Sequence, residues 1–280
     1  MIRDLGTSVR AAARGGGDAP GRWVEVLGRA GIAAYGVVHV LIAYLVVAAM
    51  IGVRGQPAAD QGGAVTVVAA LGPVGRALLG VAAAGLVAFG VWQVCAAATG
   101  FRWVSGGERF RKRVGAAAKA LAVFAVAAAV LPALLGERLA DGDASVRSLT
   151  ASLLVLPGGR VVVAAIGITA IAVAASMVYT AIRATYLGDL RERDLSPALL
   201  GLARWLGRAG NLGRAVALGG VGGSFVRAAS TADPLRSAGF DGVLRALGTN
   251  SWGVVALALV AAGIAAFGAY CAIDAWARRA

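Results

Sequence analysis

Charge is scarce in this chain. Only 15% of its 280 residues are Asp, Glu, Lys or Arg, while 59% are hydrophobic; a soluble domain carries about 25% charged residues. So few charges cannot cover the surface of a water-soluble fold of this length. Histidine is nearly missing. His39 is the one copy, which leaves nothing from which to build an HExxH zinc site or a Ser-His-Asp triad. Cysteine is limited to Cys95 and Cys271, both inside apolar stretches and without CxxC or Cys/His spacing. They read as buried free thiols, not as metal ligands or a disulfide framework. Gly-rich phosphate loops are missing too, and the acids Asp60, Asp141, Asp143, Asp233 and Asp241 are scattered. Neither catalysis, a cofactor nor a metal is expected.

What the chain does have is long oil-like runs, with a mean hydropathy of +0.77. A bilayer core about 30 Å thick is crossed by about 20 apolar residues in a helix. Six segments stand out, at 31–52, 77–98, 114–135, 161–182, 211–229 and 252–274. The fifth is the weakest, with Arg214 and Arg227 near its ends. The first 30 residues are polar and rich in Gly and Arg. A cleavable signal would carry a short apolar core nearer the start, so the reading is an uncleaved first helix behind a flexible basic tail at 1–26.

Internal repetition supports all six. Leu27-Gly28-Arg29-Ala30-Gly31 recurs as Leu206-Gly207-Arg208-Ala209-Gly210, 179 residues later. Ala84-Gly85-Leu86-Val87-Ala88-Phe89-Gly90 is matched at five of seven positions by Ala262-Gly263-Ile264-Ala265-Ala266-Phe267-Gly268. A fainter middle copy aligns Gly31 with Gly115 and Gly75-Arg76 with Gly159-Arg160, both 84 apart. The expected architecture is an all-α polytopic membrane protein. Its six transmembrane helices form three parallel two-helix repeats, at 27–104, 110–190 and 205–280.

The connections on the far side have their own pattern. Phe240, Val243, Leu244 and Leu247 fall at i, i+3, i+4, i+7, as do Ala64, Val67, Val68 and Leu71; Leu149, Leu153 and Leu156 follow more weakly. These predict short amphipathic helices in the external loops, capping the bundle or lying on the outer membrane surface.

The net charge of +13 is unevenly placed. Arg3, Arg10, Arg14, Arg22 and Arg29 precede the first span. Arg102, Arg109, Arg111, Lys112 and Arg113 follow the second, Arg183, Arg191, Arg193, Arg204 and Arg208 the fourth, and Arg278 and Arg279 the last. Cations gather on the cytoplasmic side of membrane proteins. Both termini are therefore expected inside the cell membrane, with anionic lipid headgroups as partners and no role for nucleic acid. Trp23, Trp103, Trp205, Trp252 and Trp276 fall at predicted membrane edges, and Trp92 lies deeper.

Gly28-Arg29-Ala30-Gly31 opening an odd helix, an external Ala59-Asp60-Gln61 or Ala232-Asp233-Pro234, and a Gly-rich even helix carrying Ala-Phe-Gly together resemble the bacterial membrane-protein family called domain of unknown function 1206. The resemblance runs from about residue 24 over nearly the whole chain. It implies tandem two-helix repeats and no activity. The pattern also implies an Arg four residues after the Gly that opens each odd helix. That place holds Tyr35, Lys119 and Arg214 in turn, so the first copy lacks the cation.

Polar groups inside a bilayer are functional candidates. Lys119 and Arg214 are about 6 Å inside the inner edge at 1.5 Å per residue, where long cations snorkel to headgroups or bind an anion. His39 sits mid-span with Tyr35 one turn away, and Gln93 falls at a similar depth on the second helix. The three would serve as interhelical glue or as a protonatable site on a transport path. Asp274 is expected to pair with Arg278. Ala215, Gly219 and Gly223 place small residues on one face of the fifth helix, and Gly85 and Gly263 do so on even helices. Three functions remain open: a non-catalytic scaffold with a protein partner or a second copy, a transporter or channel for a small solute or ion, and a lipid-binding envelope protein.

Overall fold

The computed structural model describes residues 22–53, 55–100, 106–137, 141–190, 195–248 and 251–277. The tail at 1–21, Arg102, Trp103, Arg191, Arg193, Arg278 and Arg279 lie outside the described residues, as do the side chains of Arg22, Trp23 and Arg111. The elements are α1 (Arg22–Met50), α2 (Gln61–Ala69), α3 (Pro73–Thr99), α4 (Gly106–Leu134), α5 (Gly142–Leu154), α6 (Gly159–Arg183), α7 (Pro197–Thr231), α8 (Phe240–Leu247) and α9 (Ser251–Ala277), with 3-10 turns at Thr185–Asp189 and Pro234–Arg236. The order long, short, long occurs three times.

Local chemistry sets the helix ends. Pro73 and Pro197 open α3 and α7, where a missing N–H costs nothing. The side chains of Asp60, Asp141 and Ser196 accept from the first-turn amides of Gly63, Ala144 and Leu199, capping α2, α5 and α7. Ala184 and Ala232 end α6 and α7 in the left-handed region, at φ 50° and 51°, an unusual setting for a residue with a Cβ.

Among the described residues five helices are long and apolar enough to cross a membrane, over Arg29–Met50, Pro73–Thr99, Lys112–Leu134, Gly159–Arg183 and Trp252–Ala277. They make the chain a membrane protein. The expected span at 211–229 falls inside α7, which is not among the five. This helix begins at Pro197 and runs 35 residues, about 52 Å, and carries Arg204, Arg208, Arg214 and Arg227 along its length.

The long helices pack in the order α4, α3, α1, α9, α7, α6, each against the next. Glycine permits the closest approaches. A Cβ on Gly31 would lie 3.0 Å from the Gly85 carbonyl oxygen. One on Gly213 would lie 2.9 Å from Gly263 Cα, and one on Gly36 2.9 Å from the Gly268 carbonyl oxygen. Gly167 and Gly222 face each other across α6 and α7, where a Cβ on either would fall 2.7 Å from the other's carbonyl oxygen. Consecutive helices α4 and α6 barely touch. The packing series thus runs from α4 to α6 without those two ends packing on each other.

The three short helices cluster at one end, the cap end. Val243 and Leu244 of α8 are buried, and Leu244 joins a core that includes Leu45, Val46, Val260 and Ile264. Ala64 and Val65 of α2 are buried as well, whereas α5 buries Thr150 and leaves Leu149 exposed. Carboxylates tie the caps together in a circle. Asp241 accepts from the Ala59 amide at 2.8 Å and Asp143 from the Gly239 amide at 2.8 Å. Asp60 lies so close to Gly142 that any side chain there would strike it.

Candidate functional site

Three of the predicted polar residues, Tyr35, His39 and Arg214, meet where α1, α7 and α9 converge. The crossing at Gly213 and Gly263 brings α9 close enough for Phe267, one turn on, to reach Arg214. The Arg214 guanidinium sits 3.9 Å from the Phe267 ring centroid and 5.8 Å from that of Tyr35. Its Nη2 donates to the Tyr35 hydroxyl at 3.1 Å. The rings of Tyr35 and His39 lie 4.4 Å apart edge to face, and those of His39 and Phe267 4.8 Å apart. The negative faces of aromatic rings attract a cation. Arg214 is thus held by two rings and a hydroxyl in place of a carboxylate.

His39 Nδ1 lies 2.8 Å from the Tyr35 carbonyl oxygen. A carbonyl only accepts, so Nδ1 carries a proton, and in the neutral ring Nε2 is left as an acceptor. His39 is 6% exposed and Phe267 8%. Tyr35 and His39 follow the start of the Arg29–Met50 span by six and ten residues, about 9 and 15 Å. The site therefore extends from near the start of that candidate span toward its middle.

The other predicted residues are placed differently. Gln93 is buried on α3, and no described contact joins it to Tyr35 or His39. Lys119 is exposed on α4. Gly85 and Gly263 lie at the close crossings described above. On α7, Ala215 is buried and Gly219 makes an ordinary contact with Ala174, but Gly223 is exposed with open space at its Cα. The tight contacts of that helix run through Gly210, Gly213 and Gly222 instead. Asp274 is buried, and its expected partner Arg278 lies outside the described residues. Phe267 was not singled out as a site residue by sequence reasoning, although its Ala-Phe-Gly setting recurs at Phe89. That recurrence was the available signal.

A cavity of about 260 Å³ opens near the cap end between Val46, Met50, Leu244 and Leu257, with Asp241 and Arg245 on its wall. A shallower one of about 550 Å³ runs along α5 past Asp141 and Ser148. His39 lines neither. Among the described residues no three His, Cys, Asp or Glu side chains converge as metal ligands. At the cap end, burial above all raises the Asp60 carboxyl above its ordinary range. The neighbouring carboxylates of Asp241, Asp141 and Asp143 push the same way, and the Gly63 amide opposes them.

Known proteins give this geometry its context. The family described as Domain of Unknown Function (DUF1206) matches residues 30–100 and 209–278, just over half of the chain. The uncharacterized protein YxxB of Bacillus subtilis (strain 168) is 27% identical over 249 residues, covering 89% of either chain. No solved structure matches. The first matched stretch holds most of α1 with α2 and α3, and the second holds most of α7 with α8 and α9. The chain belongs to the DUF1206 family, and it carries that family's unit of one short and two long helices at both ends.

Proposed function

We propose that the chain is a multi-pass protein of the cell membrane that works as a non-catalytic scaffold. In this reading α7 is the sixth span. The units 27–104, 110–190 and 205–280 are three parallel two-helix repeats, and both termini are cytoplasmic. Support for the sixth span comes from the position of α7 between α6 and α9, two helices that can each cross a bilayer. Orientation is supported by the cations gathered before the first span, after the last, and in the connections after the second and fourth.

The single observation that carries the scaffold reading is how Arg214 is used. Its cation lies 3.9 Å from the Phe267 ring and bonds Tyr35, so it fastens three helices to one another. A charge committed in this way holds a bundle shut. Anionic headgroups at the inner face and a protein partner complete the picture. Crosslinking in native membranes should recover a partner in stoichiometric amount. Recovery of the chain alone, with no partner at any crosslinker length, would refute the scaffold role.

His39 supports a second reading, as a carrier of a proton or small solute, because its Nε2 is an acceptor at mid-membrane depth. Reconstituted protein would then move protons or solute across vesicles, and His39→Leu would abolish that flux while the fold persists. Equal flux in the variant removes His39 from any such path.

A further inference from the structure

Asp241 and Arg245 stand one turn apart on α8 and form an ion pair at 2.6 Å. Its two ends are unequally placed. The Arg245 side chain is 71% exposed and that of Asp241 only 9%. The carboxylate is fixed as well as buried, because its Oδ1 accepts from the Ala59 amide at 2.8 Å and Oδ2 is the atom left for the cation. An ion pair whose cation lies mostly in water adds little stability, so Arg245 can swing away and recover its hydration at small cost. Asp241 cannot follow it. The permanent charge of this place is negative, and the cation opposite it is exchangeable.

The same pair borders a cavity of about 260 Å³. Its other walls include Val46, Met50, Leu244 and Leu257. A buried carboxylate set beside hydrocarbon suits a ligand that is cationic at one end and apolar at the other. A metal ion would find too few ligands, since among the described residues no three His, Cys, Asp or Glu side chains converge, and it would leave the apolar wall uncovered. An anion is opposed by more than Asp241. Asp60 lies close enough to feel the charges of Asp241, Asp141 and Asp143, so carboxylates gather at this end. They would also repel the phosphate that accompanies the ammonium of an aminophospholipid. A free amine, with its charge directly on the alkyl chain, meets none of these objections.

We propose that the cavity between α1, α8 and α9 binds a small amphiphilic amine, with its ammonium on Asp241 in place of Arg245 and its alkyl chain against Val46, Met50, Leu244 and Leu257. Calorimetry on the full chain in phosphatidylcholine nanodiscs, with empty nanodiscs as the blank, tests this with hexylammonium as the probe and hexanoate and hexanol as controls. Hexylammonium should bind at one site per chain, and the two controls should not. Asp241→Asn keeps an acceptor for the Ala59 amide but removes the charge, and should weaken binding about tenfold or more. Arg245→Gln removes the competing cation and should tighten binding about threefold. A damaged fold cannot imitate that gain. Leu257→Trp fills the cavity and should abolish binding with the ion pair intact. Absence of hexylammonium binding, equal binding of hexanoate or hexanol, unchanged affinity in Asp241→Asn, or no tightening in Arg245→Gln would each overturn the site. So would displacement of hexylammonium by phosphatidylethanolamine added to the nanodiscs, which would seat a lipid there instead.

Discussion

At the scale of single residues, the most consequential contact is the hydrogen bond from Arg214 to Tyr35. Tyr35→Phe keeps both ring faces and removes only the acceptor, so thermal unfolding in detergent should show a loss of about 1–2 kcal/mol, as for a hydrogen bond to a charged group. A larger loss would mean that the hydroxyl has a further partner. Asp60 offers the opposite sign. Burial above all raises its carboxyl above the ordinary range, so the folded state favours the protonated form more than the unfolded chain does. That preference adds stability at low pH and is lost as pH rises through the raised value. Asn caps helices as well as Asp does, and it carries no charge. Asp60→Asn should therefore gain about 0.5 kcal/mol or less at neutral pH, after allowance for solvent screening, and the gain should vanish in acid. Spacing alone revealed that Tyr35 and His39 share a face, because one turn of helix fixes it. The hold of Phe267 on Arg214 was not legible. It depends on where α9 comes to lie, and no local pattern encodes that.

At the scale of elements, the helices close on one another through glycine. Gly85→Val would push a branched side chain into the Gly31 backbone, 3.4 Å from where the first added carbon would sit. Overpacking of this kind costs about 1–3 kcal/mol. Gly115→Ala, in open space and inside a helix, should instead be neutral or stabilising by up to about 1 kcal/mol. Comparing the two variants by thermal unfolding tests this contrast, since an equal penalty at both sites would mean that Gly115 is packed as closely as Gly85. The apolar runs marked five helices well, because length and oiliness are properties of the chain itself. Hydropathy misplaced the start of α7 for a physical reason. Its first three turns are held by the Ser196 cap and Pro197 and carry Arg204 and Arg208, so they are helical without being apolar.

At the scale of the whole molecule, the packing order joins the last helix to the first. Because α9 lies along α1, and Asp241 bonds the Ala59 amide, the two halves of the chain are held by contacts that do not run through the connection between α4 and α5. Separate expression of 1–137 and 141–280 in one cell should therefore yield fragments that purify together through a tag on either. Two fragments that never associate would show that covalent linkage is what keeps α9 on α1. The repeat offsets agree with the order of long, short and long helices that occurs three times along the chain. The order in which the long helices pack lies beyond their reach, because it depends on where separate helices come to lie against one another.

The length of α7 has a mechanical consequence. In the six-span reading proposed above, a rod of 35 residues exceeds a bilayer core by about 20 Å, so one stretch of it reaches past the hydrocarbon as a stalk, with Trp205 71% exposed on its side. Any tilt of the bundle swings the tip of that stalk through a wider arc than the helix makes inside. Whatever grips the tip is therefore told how the buried portion is leaning.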